Sequence, residues 1–299
     1  MEPAIRLQDE GEAFYFIADY HSLTSLRDPA VLRENSLHLA VDFLACGLDP
    51  AKATFFLQSE VPEVTELAWI LGSVTPIPML ENCHSYKDKT SRGMVPNAGL
   101  FTYPVLMAAD ILIYDSDIVP VGRDQKQHVE VTRDIAAKLN AIYGDVLKLP
   151  APRIKEETAV VPGLDGQKMS KSYDNIIGIF EDEKGMRKKI MGIMTDSTPV
   201  EAPKDPDNSL IVTLYKLVAA PDQIVAMQDD FRRGGTGYGD FKKRLFERTW
   251  EYFAPMRARR SELLQNIDFV HGVLRRGAEK ARGIAQQTMD RVRKATGLR

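Results

Sequence analysis

At 299 residues, with 44% hydrophobic and 27% charged positions and a net charge of −3, the chain has the composition of an ordinary soluble globular protein. That length suits two domains, and the acidic balance leaves any nucleic-acid contact to local basic patches. Cys46 and Cys83 share neither a CxxC spacing nor clustered histidines, which argues against a zinc site or a disulfide framework. No apolar run approaches membrane-spanning length and the N-terminus lacks a signal-peptide pattern, so the expectation is a cytoplasmic protein with no membrane partner.

In chain order, Phe14 to Ala18 is an aromatic and β-branched run that reads as a buried parallel strand, delivering Asp19, Tyr20 and His21 at its C-terminal edge. Ligands of open α/β sheets bind at that edge, although a histidine after a strand is also an ordinary turn or capping residue. Asp28-Pro29 reads as N-cap and first residue of a helix that Gly47 closes. Ala53 to Leu57 reads as a second strand, and Pro62 opens another helix. Strand, helix, strand, helix with short connections predicts a doubly wound sheet.

Residues 81–98 read as a polar surface excursion carrying His84, Lys87, Lys89 and Arg92. From Gly99 the chain turns apolar, and Asp110 interrupts a run that continues Ile111, Leu112, Ile113. A carboxylate there needs donors, either backbone N–H groups or a ligand. Ile118 to Val121 reads as a short strand, followed by Gly122-Arg123-Asp124-Gln125. Asp124 reads as the N-cap of a helix carrying Val131, Ile135, Leu139 and Ile142, which Gly144 ends. Strand, glycine and helix N-terminus bring backbone N–H groups and a positive dipole end to the ligand edge, an arrangement that nucleotide sites use.

Gly166 to Asn175 sets Lys168, Ser170, Lys171 and Ser172 within five residues, after a glycine turn and before an Asp-Asn turn signal. Lysine pairs on loops are ordinarily solvated; ammonium and hydroxyl donors bunched in this way also suit a polyphosphate. Beyond it the chain turns helical, with helices expected near 182–194, 208–219, 222–231, 239–253, 255–265 and 275–296. The glycines of 234–239 miss the dinucleotide-binding spacing and precede a helix, so they read as a connector. Basic residues gather at 187–189, 242–244, 257–260 and, against Glu279 and Asp290 alone, at eight positions of 275–299. Such faces are commonly just solvated, and also suit an RNA backbone.

Three segments together resemble the bacterial tryptophanyl-tRNA synthetases of class I: Met107-Ala108-Ala109-Asp110-Ile111-Leu112-Ile113-Tyr114, then Val119 through His128 leading to Asp134, and the Lys168-Met169-Ser170-Lys171-Ser172 loop. The likeness runs from about Phe14 to the C-terminus. It implies a Rossmann-like catalytic domain (1–178), a helical anticodon-binding domain (179–274) and a C-terminal helix (275–299) that packs back on the catalytic domain. By that resemblance Asp110 accepts the indole N–H of L-tryptophan; Tyr103, Met107, Val119 and Val121 line the pocket; Gln125 and His21 hold the amino-acid end. Gly122, Arg123 and Asp124 would contact the ATP ribose, and Val161 the adenine side. Lys168 and Lys171, with Ser170, Ser172 and Met169 of the same loop, would stabilise the departing pyrophosphate with Mg²⁺, and Lys89 is a further candidate. The implied partners are tRNA(Trp), tryptophan, ATP and a second copy of the chain.

The sequence also departs from that pattern. The family's His-x-Gly-His-like motif has no counterpart, since Met1 begins beyond it and Glu2 to Gln8 reads as the tail of the first helix. That leads us to expect about 20 residues of strand, loop and helix start to be absent, with an apolar gap, unpaired strand edges and impaired activation. Glu81-Asn82-Cys83-His84 stands where the family usually carries an arginine. The alternatives are a non-catalytic paralogue that binds tRNA or an amino acid, and a tyrosyl-tRNA synthetase relative.

Overall fold

The computed structural model describes residues 5–83, 97–122, 126–154, 161–170 and 173–298. They fall into two compact units, one of residues 1–157 with 262–299 and one of residues 158–261.

The first unit is α/β. Strands β1 (Ala13–Ile17) and β2 (Ala53–Leu57) pair in parallel, Ala13 opposite Ala53 and Ile17 opposite Leu57. Between them run the short helix α1 (Asp19–Ser22) and the longer α2 (Pro29–Ala45). Asp28 caps α2 as its sequence predicts, its carboxylate accepting from Ala30 N at 2.8 Å and Val31 N at 3.3 Å. Such a cap contributes about 1 kcal/mol. Gly47 closes the helix in a positive-φ conformation, φ 103°.

Helices α3 (Glu63–Val74), α4 (Ile77–Glu81) and α5 (Ala98–Leu112) follow, then β3 (Ile118–Val121), α6 (Lys126–Tyr143) and β4 (Ala151–Ile154). The excursion around Lys89 lies outside the described residues. β4 pairs in parallel with β3. Its sequence, Ala-Pro-Arg-Ile, carries a proline and a charge in four residues, so no apolar pattern announces it. Among the described residues β1 and β3 are not paired with each other. A groove of ≈ 570 Å³ is lined by Phe14 and Tyr15 of β1, Ile118 and Pro120 of β3, and also Tyr114 and Arg153.

The core of this unit joins Phe56, Leu67, Leu71, Val105, Leu112, Ile135 and Leu139 to one long helix from the end of the chain. The sequence pattern starts that helix near 275; it begins at Ile267 and runs to Thr296, with Asn266 accepting from Phe269 N. Gly272 and Gly277 disguise its first turns, because glycine is a poor helix former. Its buried stripe, Val270, Val273, Leu274, Ala278, Ala281, Ala285, Met289 and Val292, has helical spacing. Gly277 lies in the same stripe, and a Cβ there would stand 2.0 Å from the Phe55 carbonyl oxygen. Only glycine lets the helix lie so close to β2.

The basic residues of this helix turn out to be partly engaged within the unit. Arg282 reaches Glu63 through Nε and Nη2 at 3.2 and 2.8 Å. Lys280 pairs with Glu12 at 2.7 Å, Arg291 with Asp115 at 2.6 Å, and Arg293 with Glu66.

The second unit is helical: α7 (Glu183–Met191), α8 (Leu210–Tyr215), α9 (Pro221–Arg233), α10 (Tyr238–Tyr252) and most of α11 (Ala254–Gln265), after which comes the long helix, α12 (Ile267–Thr296) of the first unit. Its core is Met186, Ile190, Ile211, Leu214, Met227, Phe231, Phe241 and Leu245. Gly234 and Gly235 take φ values of 75° and 80°, and Gly235 N donates to Val200 O, so this glycine run is a connector. The compact units divide the chain at 157 and 261, whereas the boundaries implied by the resemblance, 178 and 274, begin where the strand-like composition ends. Composition marks where strands stop, whereas compactness follows contacts.

Candidate active site

The ends of β1 and β2 carry their polar residues to the C-terminal edge of the paired strands. Directly after β1, Asp19 accepts from Tyr20 N and Ser59 N, both at 3.0 Å, and from the Ser59 hydroxyl. Directly after β2, Gln58 is 1% exposed and accepts from Tyr20 N at 3.2 Å.

Asp110 comes to this edge from the last turn of α5 and is 3% exposed. Gln58 Nε2 donates to both of its oxygens, at 2.8 and 2.9 Å, and His21 Nε2 lies 2.9 Å from Oδ2. With Asp110 ionised, the imidazole Nε2 carries the proton. Burial pushes the Asp110 carboxyl above its ordinary pKa; His21 and Gln58 oppose that, and the Asp19 charge adds to it. Among the described residues the hydrogen-bond partners of this carboxylate are therefore side chains, not backbone N–H groups.

His21 and Tyr103 pack edge to face with centroids 6.4 Å apart, and Tyr103 meets His128 likewise at 5.7 Å. His21 and Tyr103 line a cavity of ≈ 390 Å³ together with Thr24, Asn97 and Leu106. Met107, Val119 and Val121 are half-buried and lie outside its lining. Gly122, half-buried, follows β3 directly; Arg123, Asp124 and Gln125 lie outside the described residues.

In the second unit the lysine–serine loop is tied together by one buried side chain. Asn175, 3% exposed, donates to Asp165 Oδ1 at 2.8 Å and to Lys168 O at 3.1 Å, and accepts from Ser170 N at 2.7 Å. Pro162 and Lys168 form an antiparallel bridge, and Met169 N donates to Val161 O at 2.9 Å. Gly163 makes room for the hub, since a Cβ there would fall 2.3 Å from Asn175 Nδ2. The hydrogen bond from Asn175, helped by the Gln167 backbone N–H, holds Asp165 below the ordinary carboxylate pKa. Lys168 and Val161 are exposed, Met169 and Ser170 half-buried, and Lys171 and Ser172 lie outside the described residues.

Sequence reading missed Gln58 and Asn175. Gln58 opens a polar Gln-Ser-Glu run directly behind a buried strand, the position from which open sheets reach ligands, and that run was its available signal. Asn175 looked like half of an Asp-Asn turn. Asp174 does turn, with φ 52°, while Asn175 points inward. The chemical content is a buried acceptor held by His21 and Gln58, with Tyr103 packed on His21, in one unit, and a pinned lysine-bearing loop in the other.

Residues 1–254 match the family model of the class I tRNA synthetases, W and Y. The chain is 52% identical over 295 residues to the tryptophan–tRNA ligase of Rhodopirellula baltica, covering 99% of this chain and 92% of that one. It is 52% identical over 299 residues to that of Fusobacterium nucleatum, again covering 92% of the relative. Its fold matches the crystal structure of Campylobacter jejuni tryptophanyl-tRNA synthetase complexed with ADP and tryptophan. There the TM-score is 0.95 at 48% identity, covering 99% of this chain and 93% of that chain. With most of its length matched by the family model, and half its residues identical to those of such relatives, the chain belongs to the class I tRNA synthetases of the tryptophan and tyrosine group.

Proposed function

We propose that the protein is a tryptophan–tRNA ligase, and the observation that carries this is the buried Asp110 acceptor held by His21 and Gln58, with Tyr103 packed on His21. An indole is a flat apolar group with a single N–H donor. A buried carboxylate in an aromatic setting gives that donor its partner, and an analogue without the donor leaves the acceptor unmatched. Relatives named as tryptophan–tRNA ligases, and a related structure holding tryptophan and ADP, support the same reading.

The reaction is attack by the tryptophan carboxylate on the α-phosphate of ATP, releasing pyrophosphate, and then transfer of the acyl group to the terminal ribose of tRNA(Trp). Tyr103, Met107, Val119 and Val121 would line the indole pocket, with His21 and Gln125 towards the amino-acid end. Gly122, Arg123, Asp124 and Val161 would hold the nucleoside, with Lys89 a further contact. Lys168 and Lys171, with Ser170, Ser172 and Met169, would meet the negative charge that builds on pyrophosphate; positioned cations lower such a barrier without forming bonds. Among the described residues no cluster of three or more His, Cys, Asp or Glu could hold a metal ion. Mg²⁺ enters this reading on the oxygens of ATP, which ligate it well.

The helical residues 179–274 would read the anticodon. A cytoplasmic homodimer is part of the same reading. Trp69 is 82% exposed beside an apolar groove of ≈ 580 Å³ between α3 and α5, a surface suited to a second copy.

Equilibrium dialysis with labelled tryptophan and tyrosine tests the assignment. Tryptophan should bind about 100-fold or more tightly than tyrosine, and equal affinities would sink it. Tryptophan-dependent ATP–pyrophosphate exchange and tRNA charging, measured alongside, separate a ligase from a protein that only binds.

A further inference from the structure

Gln58 has no role in the scheme above, yet it donates to both oxygens of Asp110, where His21 meets one. Its orientation is settled by the backbone. Tyr20 N–H, shared with Asp19 Oδ1, points at Gln58 Oε1 at 3.2 Å, so the amide nitrogen faces Asp110. That nitrogen can only donate, and it meets both carboxylate oxygens. His21 is chemically ambiguous in comparison. A neutral imidazole can donate from Nε2 to a carboxylate or accept there from a carboxylic acid. Gln58 alone among these partners has a fixed demand.

We infer that Gln58 is a positioning residue that holds Asp110 as an ionised, acceptor-only carboxylate, committing the pocket to a ligand that brings an N–H donor. This rests on the reading of Asp110 as the indole acceptor. Were Asp110 protonated, the oxygen bearing the proton would become a poorer acceptor for the Gln58 amide, which cannot itself accept that proton. Among the described residues, the titratable and hydrogen-bonding groups that face the carboxylate are few. Asp19 and His21 face it from the end of β1, Tyr114 from beyond α5, and Gln58 from the end of β2. Asp19 and burial favour the proton, while His21 and Gln58 oppose it, so removing Gln58 tips the balance one way.

Two variants give opposite signatures. Gln58→Met keeps the volume and removes the donors. The Asp110 carboxyl, followed by ¹³C NMR of the ligand-free protein, should then titrate about one unit higher. Tryptophan affinity by dialysis should fall about tenfold towards acid pH and recover as pH rises. Gln58→Glu is nearly isosteric and makes a carboxyl pair that shares one proton. While protonated, the introduced carboxyl still donates to Asp110, so affinity should be best at low pH and fall as the second carboxyl ionises. A purely structural role for Gln58 would weaken binding in Gln58→Met without moving its pH profile, and that result overturns the inference. An unmoved Asp110 titration in Gln58→Met overturns it as well. If the titration moves while the unmodified protein binds no tryptophan, the indole reading fails instead, and the assignment of the ligand with it.

Discussion

Asp110 and Asn175 are both 3% exposed, and each is the centre of a polar network. Asn175 draws its partners, Asp165, Lys168 and Ser170, from about ten residues of chain. Asp110 draws His21 from the short helix after β1 and Gln58 from the end of β2, 89 and 52 positions away. The first network can assemble as soon as its loop closes. The second exists only when β1, β2 and α5 are all in register, because a one-residue slip turns a strand's side chains to the other face. A locally built site tolerates changes elsewhere in the fold, whereas a site built from distant segments answers to them.

The largest expected effect is on the distant network itself. Asp110→Asn should weaken tryptophan binding about 100-fold, the worth of a charge-assisted hydrogen bond in a buried pocket. It should also raise the melting temperature at pH 7. A buried acid with a raised pKa adds stability while protonated, and costs stability as pH rises through that pKa. Removing the ionisable group removes that cost, so calorimetry and dialysis should move in opposite directions.

Next is the buttress behind β2. Gly277→Ala sets a methyl against the Phe55 carbonyl, where the fit would be 2.0 Å. It should destabilise by about 1–3 kcal/mol in denaturant titrations. Because Gln58 follows the same strand, tryptophan affinity should drop too, although Gly277 lies far from Asp110 in sequence. Unchanged affinity in a destabilised protein would break the argument that this site answers to remote packing.

Asn175→Ala should cost about 1–2 kcal/mol, since the Ser170 N–H loses its acceptor and Asp165 and the Lys168 carbonyl lose a donor. ATP–pyrophosphate exchange should slow about tenfold, with tryptophan affinity by dialysis unchanged. A parallel loss of affinity would show that the two networks are not separable.

Smallest is a pH effect at the loop. Asp165 has its pKa held below the ordinary 3.8, so it adds stability above that value and loses it as pH falls through the depressed pKa. Asp165→Asn should therefore lower the melting temperature slightly at neutral pH and not at all in strong acid. Asp110→Asn differs from it in sign at pH 7, which makes the pair a direct test of buried against solvent-exposed carboxylates.

By itself the sequence determined what is written in local chemistry. The caps at Asp28 and Gly47, the strands Ala53–Leu57 and Ile118–Val121, the helices of the second half and the Lys168–Ser172 signature all rest on neighbouring residues. It also marked Asp110 as a carboxylate needing partners, because a charge in an apolar run is costly wherever the run folds. Only tertiary structure named those partners, since His21 arrives from α1 and Gln58 from the end of β2. Tertiary contact likewise decided that the last helix starts at Ile267, where β2 requires Gly277, and that its arginines are partly held by Glu63, Glu66 and Asp115. Hydrogen bonds and close packing between distant segments leave no periodic trace in the chain, so a sequence can show that a partner is needed without showing which one.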